Sequence, residues 1–227
     1  MRKNKVLLLV LILLGFAFAK TPTSQLAEGF VYAQEEIPDL DVELRYLTDH
    51  NFIGMPIDGY KSNRLILTKE AMEALKKVQH DLRNQNLCLK VYDGYRPQLA
   101  VDHFVRWAKD LADTINKREF YPEVEKQFLF NEGYIASKSG HSRGSTLDLT
   151  IIDADTGELL DMGGFFDFFG EQSWTDSPDI TEAQKQNRAI LKSAMEKHNF
   201  RNYPKEWWHY TLRWEPFPDT YFEFLVE

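Results

Sequence analysis

Leu147-Asp148-Leu149-Thr150-Ile151-Ile152 alternates in character. Leu147, Leu149 and Ile151 share one face of an extended chain, and Asp148 and Thr150 share the other. Further on, Trp208-His209-Tyr210-Thr211-Leu212-Arg213-Trp214 repeats the pattern, with Trp208, Tyr210, Leu212 and Trp214 opposite His209, Thr211 and Arg213. Two such strands predict a sheet packed on one side, with a polar side that presents one possible metal ligand per strand. Residues 87–92 (Leu-Cys-Leu-Lys-Val-Tyr) read as a third strand, broken by Asp93-Gly94-Tyr95-Arg96-Pro97.

Helices fill the intervals. Thr68 is placed as an N-cap, followed by Ala71, Leu75, Val78 and Leu82 at helical spacing. A second helix should carry Val101, Phe104, Ala108, Leu111 and Ile115 on one face. A third opens on Thr181-Glu-Ala-Gln184, a capping box, and should end near His198. Helices interleaved with neighbouring strands predict an α+β single domain, a central antiparallel sheet flanked by helices.

The chain has 227 residues, 43% hydrophobic and 14% aromatic, enough to pack one core, and it shows no repeat or low-complexity tract. Its start reads as a signal peptide: Met1-Arg-Lys-Asn-Lys5 is basic, Val6 to Phe16 is unbroken and apolar, and Ala17-Phe18-Ala19 is a small-x-small cleavage site. The domain is then 20–227, exported to a periplasmic or extracellular space, with no stable membrane association once the leader is removed. Loss of residues 1–19 takes away Arg2, Lys3 and Lys5 and no acid, moving the formal charge from −8 to −11. So acidic a surface is a poor match for nucleic acid or anionic lipid. Cys88 is the only cysteine, which excludes both a lipid-anchored leader and an internal disulfide.

Two of the six histidines stand in unusual company: Ser139-Gly140-His141-Ser142-Arg143-Gly144-Ser145-Thr146-Leu147-Asp148 and Glu206-Trp207-Trp208-His209. A hydrolytic zinc site uses three His or carboxylate ligands and keeps a position open. His141, Asp148 and His209 supply that count, and two neutral imidazoles with one carboxylate leave the ion net positive and Lewis-acidic. An odd spacing from His141 to Asp148 would point them to opposite faces of one strand, so His141 is expected on the entering loop, with Gly144 allowing the turn. Glu206 is expected just ahead of its strand, beside the metal, as a general base. Each residue also has an ordinary reading. Asp148 taken alone could be merely solvated, and Trp207 and Trp208 are more often core. His50, His80, His103 and His198 read as structural or surface residues, and Cys88 as inert core.

Together these blocks resemble the zinc D,D-peptidases of cell-wall peptides, peptidase family M15, and within it the D-alanyl-D-alanine dipeptidase branch, the VanX type. The resemblance rests on Leu44-Arg45-Tyr46 with Asn51-Phe52-x-Gly54, on Asp93-Gly-Tyr-Arg-Pro97, and on Ser139-x-His-Ser-Arg-Gly-Ser-x-Leu-Asp-Leu-Thr150. It continues in Asp161-Met-Gly163 with Phe166-Asp167 and in Glu206-Trp-Trp-His-Tyr210. It implies one Zn2+ per chain on His141, Asp148 and His209, with Glu206 as proton shuttle and Arg96 stabilising the oxyanion. Tyr46, Ser139 and Asp167 would contact a small dipeptide substrate, D-Ala-D-Ala. The sequence departs from the pattern at Gly164-Phe165, in the substrate wall. A leader on such a chain favours scavenging of wall peptides over intracellular antibiotic resistance. Two other readings stay open: a D,D-carboxypeptidase trimming longer wall peptides, and a non-catalytic zinc protein that binds the wall. Glu206 and Arg96 speak against the second, since binding alone needs neither. If the leader reading holds, N-terminal sequencing of exported protein will begin at Lys20; an intact Met1 on a soluble cytosolic pool would reject it.

Overall fold

The computed structural model describes residues 26–227, so the segment read as a signal peptide lies outside the described residues. In chain order the elements are β1 (Phe30–Tyr32), α1 (Ala33–Glu36), β2 (Asp41–Val42), β3 (Ile66–Thr68), α2 (Lys69–Arg83), β4 (Leu87–Asp93), α3 (Gln98–Lys109), α4 (Lys117–Phe120), β5 (Thr146–Asp153), α5 (Glu182–Lys197), β6 (Phe200–Tyr203) and β7 (Glu206–Leu212). The α+β class is the expected one. A five-stranded sheet runs in the order β2-β4-β5-β7-β6, and β1 and β3 form a separate two-stranded ribbon. No helix among the described residues is long and apolar enough to cross a membrane.

Most of the main sheet is antiparallel, as expected, but its edge is not: β2 pairs parallel with β4. Asp41 and Glu43 flank Lys90 there, with carboxylate oxygens 3.1 and 2.8 Å from its ammonium. A two-residue strand, with acidic Asp41 in it and Glu43 directly after it, ends the sheet without offering a long template for further pairing.

Thr68 caps α2 by accepting from the Ala71 amide, and Ala71, Leu75, Val78 and Leu82 are fully buried where α2 packs on β4 and α5. The box at Thr181 is complete: its hydroxyl accepts from Gln184 N, and the Gln184 side chain accepts from Thr181 N. The helix it opens, α5, packs on β6 and β7. The second helix is shorter than its apolar pattern suggested. It ends at Lys109, leaving Leu111 and Ile115 55% and 74% exposed. Asp110 ends it, adopting extended backbone and turning its carboxylate to the amide of Ala112 at 3.1 Å, so that a side-chain turn competes with another helical one. Trp214 likewise falls outside β7 and is 78% exposed.

Three devices hold the loops that border the polar side of the sheet. Arg188 on α5, 2% exposed, donates to the carbonyls of Met162 (2.6 Å), Trp174 (2.6 Å) and Gln172 (2.8 Å), pinning both ends of the loop that carries Asp167. The C-terminal segment straps the 140–143 turn, with Phe222 N donating to Ser142 O at 2.9 Å. Gly144 ends that turn at φ +82°, and a Cβ there would lie 2.1 Å from a carbon of the Phe30 ring. Gly144→Ala is therefore expected to combine left-handed strain with a clash. The loss should be about 2–4 kcal/mol, read as a lowered midpoint in denaturant unfolding. An unchanged midpoint would show that the turn is not held as described.

Candidate active site

Asp148 and His209 are direct partners across the β5–β7 ladder, so the two polar faces predicted from the sequence meet at one pair. His141 is brought to them by a 3-10 turn, Gly140–Arg143, capped by the Ser139 hydroxyl, which accepts from His141 N at 3.2 Å. As expected, the histidine lies on the loop entering β5. Glu206 differs slightly from expectation: it is the first residue of β7 rather than a residue ahead of it. A regular strand would send Glu206 and His209 to opposite faces. The β6–β7 ladder shifts register between Asn202 and Tyr203, and the Asn202 amide braces the irregularity by donating to the carbonyls of Glu206 (3.0 Å) and His209 (3.1 Å). The Glu206 carboxylate comes within 3.3 Å of His209 Nδ1.

The three potential ligands offer atoms all within 4.8 Å of one another. His141 Nε2 is 3.3 Å from Asp148 Oδ2 and 3.3 Å from His209 Nδ1, and His209 Nδ1 is 3.0 Å from Asp148 Oδ1. That last contact lacks hydrogen-bond direction, and Asp148 Oδ1 is a buried acceptor with no hydrogen-bond partner among the described residues. On the far side of its ring, His141 Nδ1 lies 2.8 Å from the Gly94 carbonyl, so the proton is placed there and the Nε2 lone pair is aimed at the cluster. An orphaned carboxylate oxygen and two imidazole nitrogens turned towards each other fit a divalent cation, and a set of two nitrogens and one oxygen suits zinc.

Arg96 sits beside this cluster with its fork already engaged. Nε donates to Asp93 at 2.8 Å and Nη2 to Asp148 at 3.2 Å, and the guanidinium carbon lies 4.9 Å from the centre of the Tyr46 ring. Asp93 also accepts from the Tyr60 hydroxyl at 2.6 Å. Asp167 takes a left-handed backbone, φ +65°, and accepts from the Tyr46 hydroxyl at 2.8 Å. Such a conformation in a non-glycine residue is held by its surroundings, here the pinned 162–174 loop.

Burial opposes ionisation of Asp148, but the His141 and His209 imidazoles outweigh it and hold the carboxyl far below the usual range. Burial pushes Glu206 up to about 7, with the Asp148 charge adding to it. Asp167 is raised by burial and then by Asp148, against the pull of Arg96.

All eight residues singled out in the sequence, Tyr46, Arg96, Ser139, His141, Asp148, Asp167, Glu206 and His209, line one cavity of about 340 Å³. His50, His80, His103 and His198 do not line it. His198 pairs with Asp81 at 2.7 Å, and His103 accepts from the Asp58 amide. Trp207 and Trp208 are buried, as their ordinary reading has it. Gly164-Phe165 leaves the cavity alone: Phe165 is 44% exposed and packs edge-on against Phe120, while Phe166 is buried against Tyr92 and Trp208. Sequence reasoning missed the apolar wall of Phe52, Val101, Phe104, Ile135 and Phe169, and the flanking Tyr134 and Tyr203. It also missed Asp93 and Tyr60 as the anchors of Arg96. Asp93, directly before Gly94, carried the available signal, a carboxylate three residues from a lone arginine.

Comparison with known proteins places these features in a family. The Peptidase M15 model, described as D-ala-D-ala dipeptidase, matches residues 26–227. The D-alanyl-D-alanine dipeptidase of Enterococcus faecalis is 46% identical over 198 residues, 87% of this chain and 98% of that protein. That of Enterococcus faecium is 42% identical over 199 residues, 88% of this chain and 98% of that protein. The D-alanyl-D-alanine dipeptidase of Streptomyces coelicolor is 43% identical over 197 residues, 87% of this chain and 98% of that protein. If the cluster binds the ion, His209→Ala will lose zinc on dialysis while keeping its fold, because an exchanged ligand typically costs far more than the 10–100-fold of a supporting group. Full retention by metal analysis would reject the ligand set.

Proposed function

From its membership of the peptidase M15 family of D-alanyl-D-alanine dipeptidases, we propose that this chain hydrolyses D-alanyl-D-alanine to two D-alanines; the leader-like residues 1–19 support placing that activity outside the cytoplasm, in the turnover of cell-wall peptides. The observation that carries the reading is the convergence of a base, a cation and a three-ligand metal cluster in one dipeptide-sized cavity.

His141, Asp148 and His209 would hold one zinc ion per chain. When bound, zinc supplies Lewis acidity that polarises a carbonyl and acidifies water. Glu206, at the edge of that cluster, takes a proton from the attacking water and returns one to the leaving amine as the C–N bond breaks; one water is consumed and two free amino acids leave. Arg96 is permanently charged and stands beside the cluster, where its N–H groups can meet the oxygen that gains charge. Because Asp93 fixes Arg96 from behind, the guanidinium is already oriented before substrate arrives. Asp167 is the natural partner of the substrate's ammonium, aimed by the Tyr46 hydroxyl. An N-terminally extended peptide would lack that charge and would have to fit its extra residues beside the buried Asp167. Ser139 serves twice, capping the His141 turn and facing the cavity.

Three ligands are present without Glu206, so the metal and the proton shuttle are separable. Glu206→Ala should retain zinc and lose turnover of D-Ala-D-Ala by at least about 10²–10⁴-fold. Both quantities are measured on one preparation. An active, zinc-loaded variant would overturn the mechanism, and loss of zinc together with activity would make Glu206 structural.

A further inference from the structure

A dipeptide is a zwitterion, and the reading above gives its ammonium a partner but leaves its carboxylate without one. The cavity is lined by the acids Asp148, Asp167 and Glu206, all unfavourable neighbours for that carboxylate. Apart from the imidazoles, the cationic side chains lining it are Arg96 and Lys138. Arg96 pairs with Asp93 and Asp148 beside the metal cluster, and its remaining N–H groups are already assigned above to the oxygen of the scissile carbonyl. Lys138 makes no ion pair among the described residues. It is exposed, immediately precedes Ser139, and holds its ammonium 4.7 Å from the centre of the Tyr221 ring. A solvent-exposed cation resting over a half-buried aromatic ring is held weakly, and the four-carbon stem lets it swing to a nearby anion.

We propose that Lys138 binds the C-terminal carboxylate of the dipeptide, making it a specificity-determining residue for the free acid. The inference rests on the dipeptidase reading. It gives the cavity a charge pattern matched to a zwitterion, with Asp167 for the ammonium and Lys138 for the carboxylate. Tyr221 keeps the lysine at the mouth when substrate is absent. Blocking the carboxylate should then weaken a substrate as surely as blocking the amine.

The test compares steady-state kinetics on D-Ala-D-Ala and on its C-terminal carboxamide, using zinc-loaded enzyme with zinc content checked for each variant. The unaltered enzyme should favour the free acid. Lys138→Ala should raise KM for the free acid about 5–10-fold, change kcat by less than about threefold, and bring the acid-to-amide preference close to one. Lys138→Arg should retain the preference. Raising ionic strength should shrink the preference of the unaltered enzyme and leave that of Lys138→Ala unmoved. If Lys138→Ala keeps the full preference, the inference fails while the dipeptidase reading stands. If the unaltered enzyme turns over neither compound, the dipeptidase reading itself fails, and this inference with it.

Discussion

A carboxylate removed from water must be met by positive charge, and Asp148 is where that requirement organises this protein. It is 2% exposed, with His141, His209 and Arg96 each within 3.3 Å of one of its oxygens. Its partner across the sheet is His209, so a slip of one residue between β5 and β7 would turn one of the two into the opposite, apolar face. The register is held from both sides. Leu147 faces Tyr210 in the core, and the hydroxyls of Thr146 and Thr211 meet at 2.9 Å beside the cluster. The packing that stabilises the sheet is therefore the same packing that assembles the metal cluster.

Around that pair the cavity gathers more acid than base. Asp93 and Asp148 pair with the Arg96 guanidinium, while Asp167 and Glu206 feel its charge without pairing with it. Asp93 is answered by Arg96 and the Tyr60 hydroxyl, and Asp148 by the two imidazoles and Arg96. Asp167 has the Tyr46 hydroxyl but no adjacent cation of its own, which is why burial drives its carboxyl upward. A divalent ion and a substrate ammonium are the two positive charges this arrangement lacks, and each would arrive where the unanswered acid lies.

The sequence showed these features unevenly, for reasons of range. Period-two alternation exposed β5 and β7 and the polar faces bearing Asp148 and His209, because the residues that decide it are neighbours in the chain. The caps at Thr68 and Thr181 were legible for the same reason. Leu111 and Ile115 kept helical spacing past the true end of α3, since the Asp110 side-chain turn that stops the helix leaves no trace in an apolar pattern. The parallel pairing of β2 was hidden, because two residues carry no periodicity. The family resemblance brought Tyr46, Ser139 and Asp167 to the list; spacing alone could not, as Tyr46 and Asp167 meet across 121 positions. Val101 and Phe104 were legible as a helix face and Phe52 as part of a family block, but nothing local showed that they would join Ile135 and Phe169 in one cavity wall.

This division has a physical basis. The ligands Asp148 and His209 and the base Glu206 stand on paired strands, where a misplacement of an ångström would cost most and backbone hydrogen bonds limit movement. His141 and Asp167 stand on loops, and each loop is tied to something rigid. The His141 turn is capped by Ser139, closed by Gly144 and strapped by Phe222. The Asp167 loop is clamped by the three carbonyl contacts of Arg188. Replacing Arg188 by an apolar residue would take a donor from all three carbonyls, leaving Trp174 O only the Ser177 amide at 3.0 Å, an expensive outcome for groups held inside the protein. A positively charged side chain is thus used in the interior for its donors rather than its charge. Within the clamped loop the backbone turns left-handed twice, at Gly163 (φ +78°) and at Asp167 (φ +65°). An aspartate tolerates that conformation better than any bulkier carboxylate-free residue would.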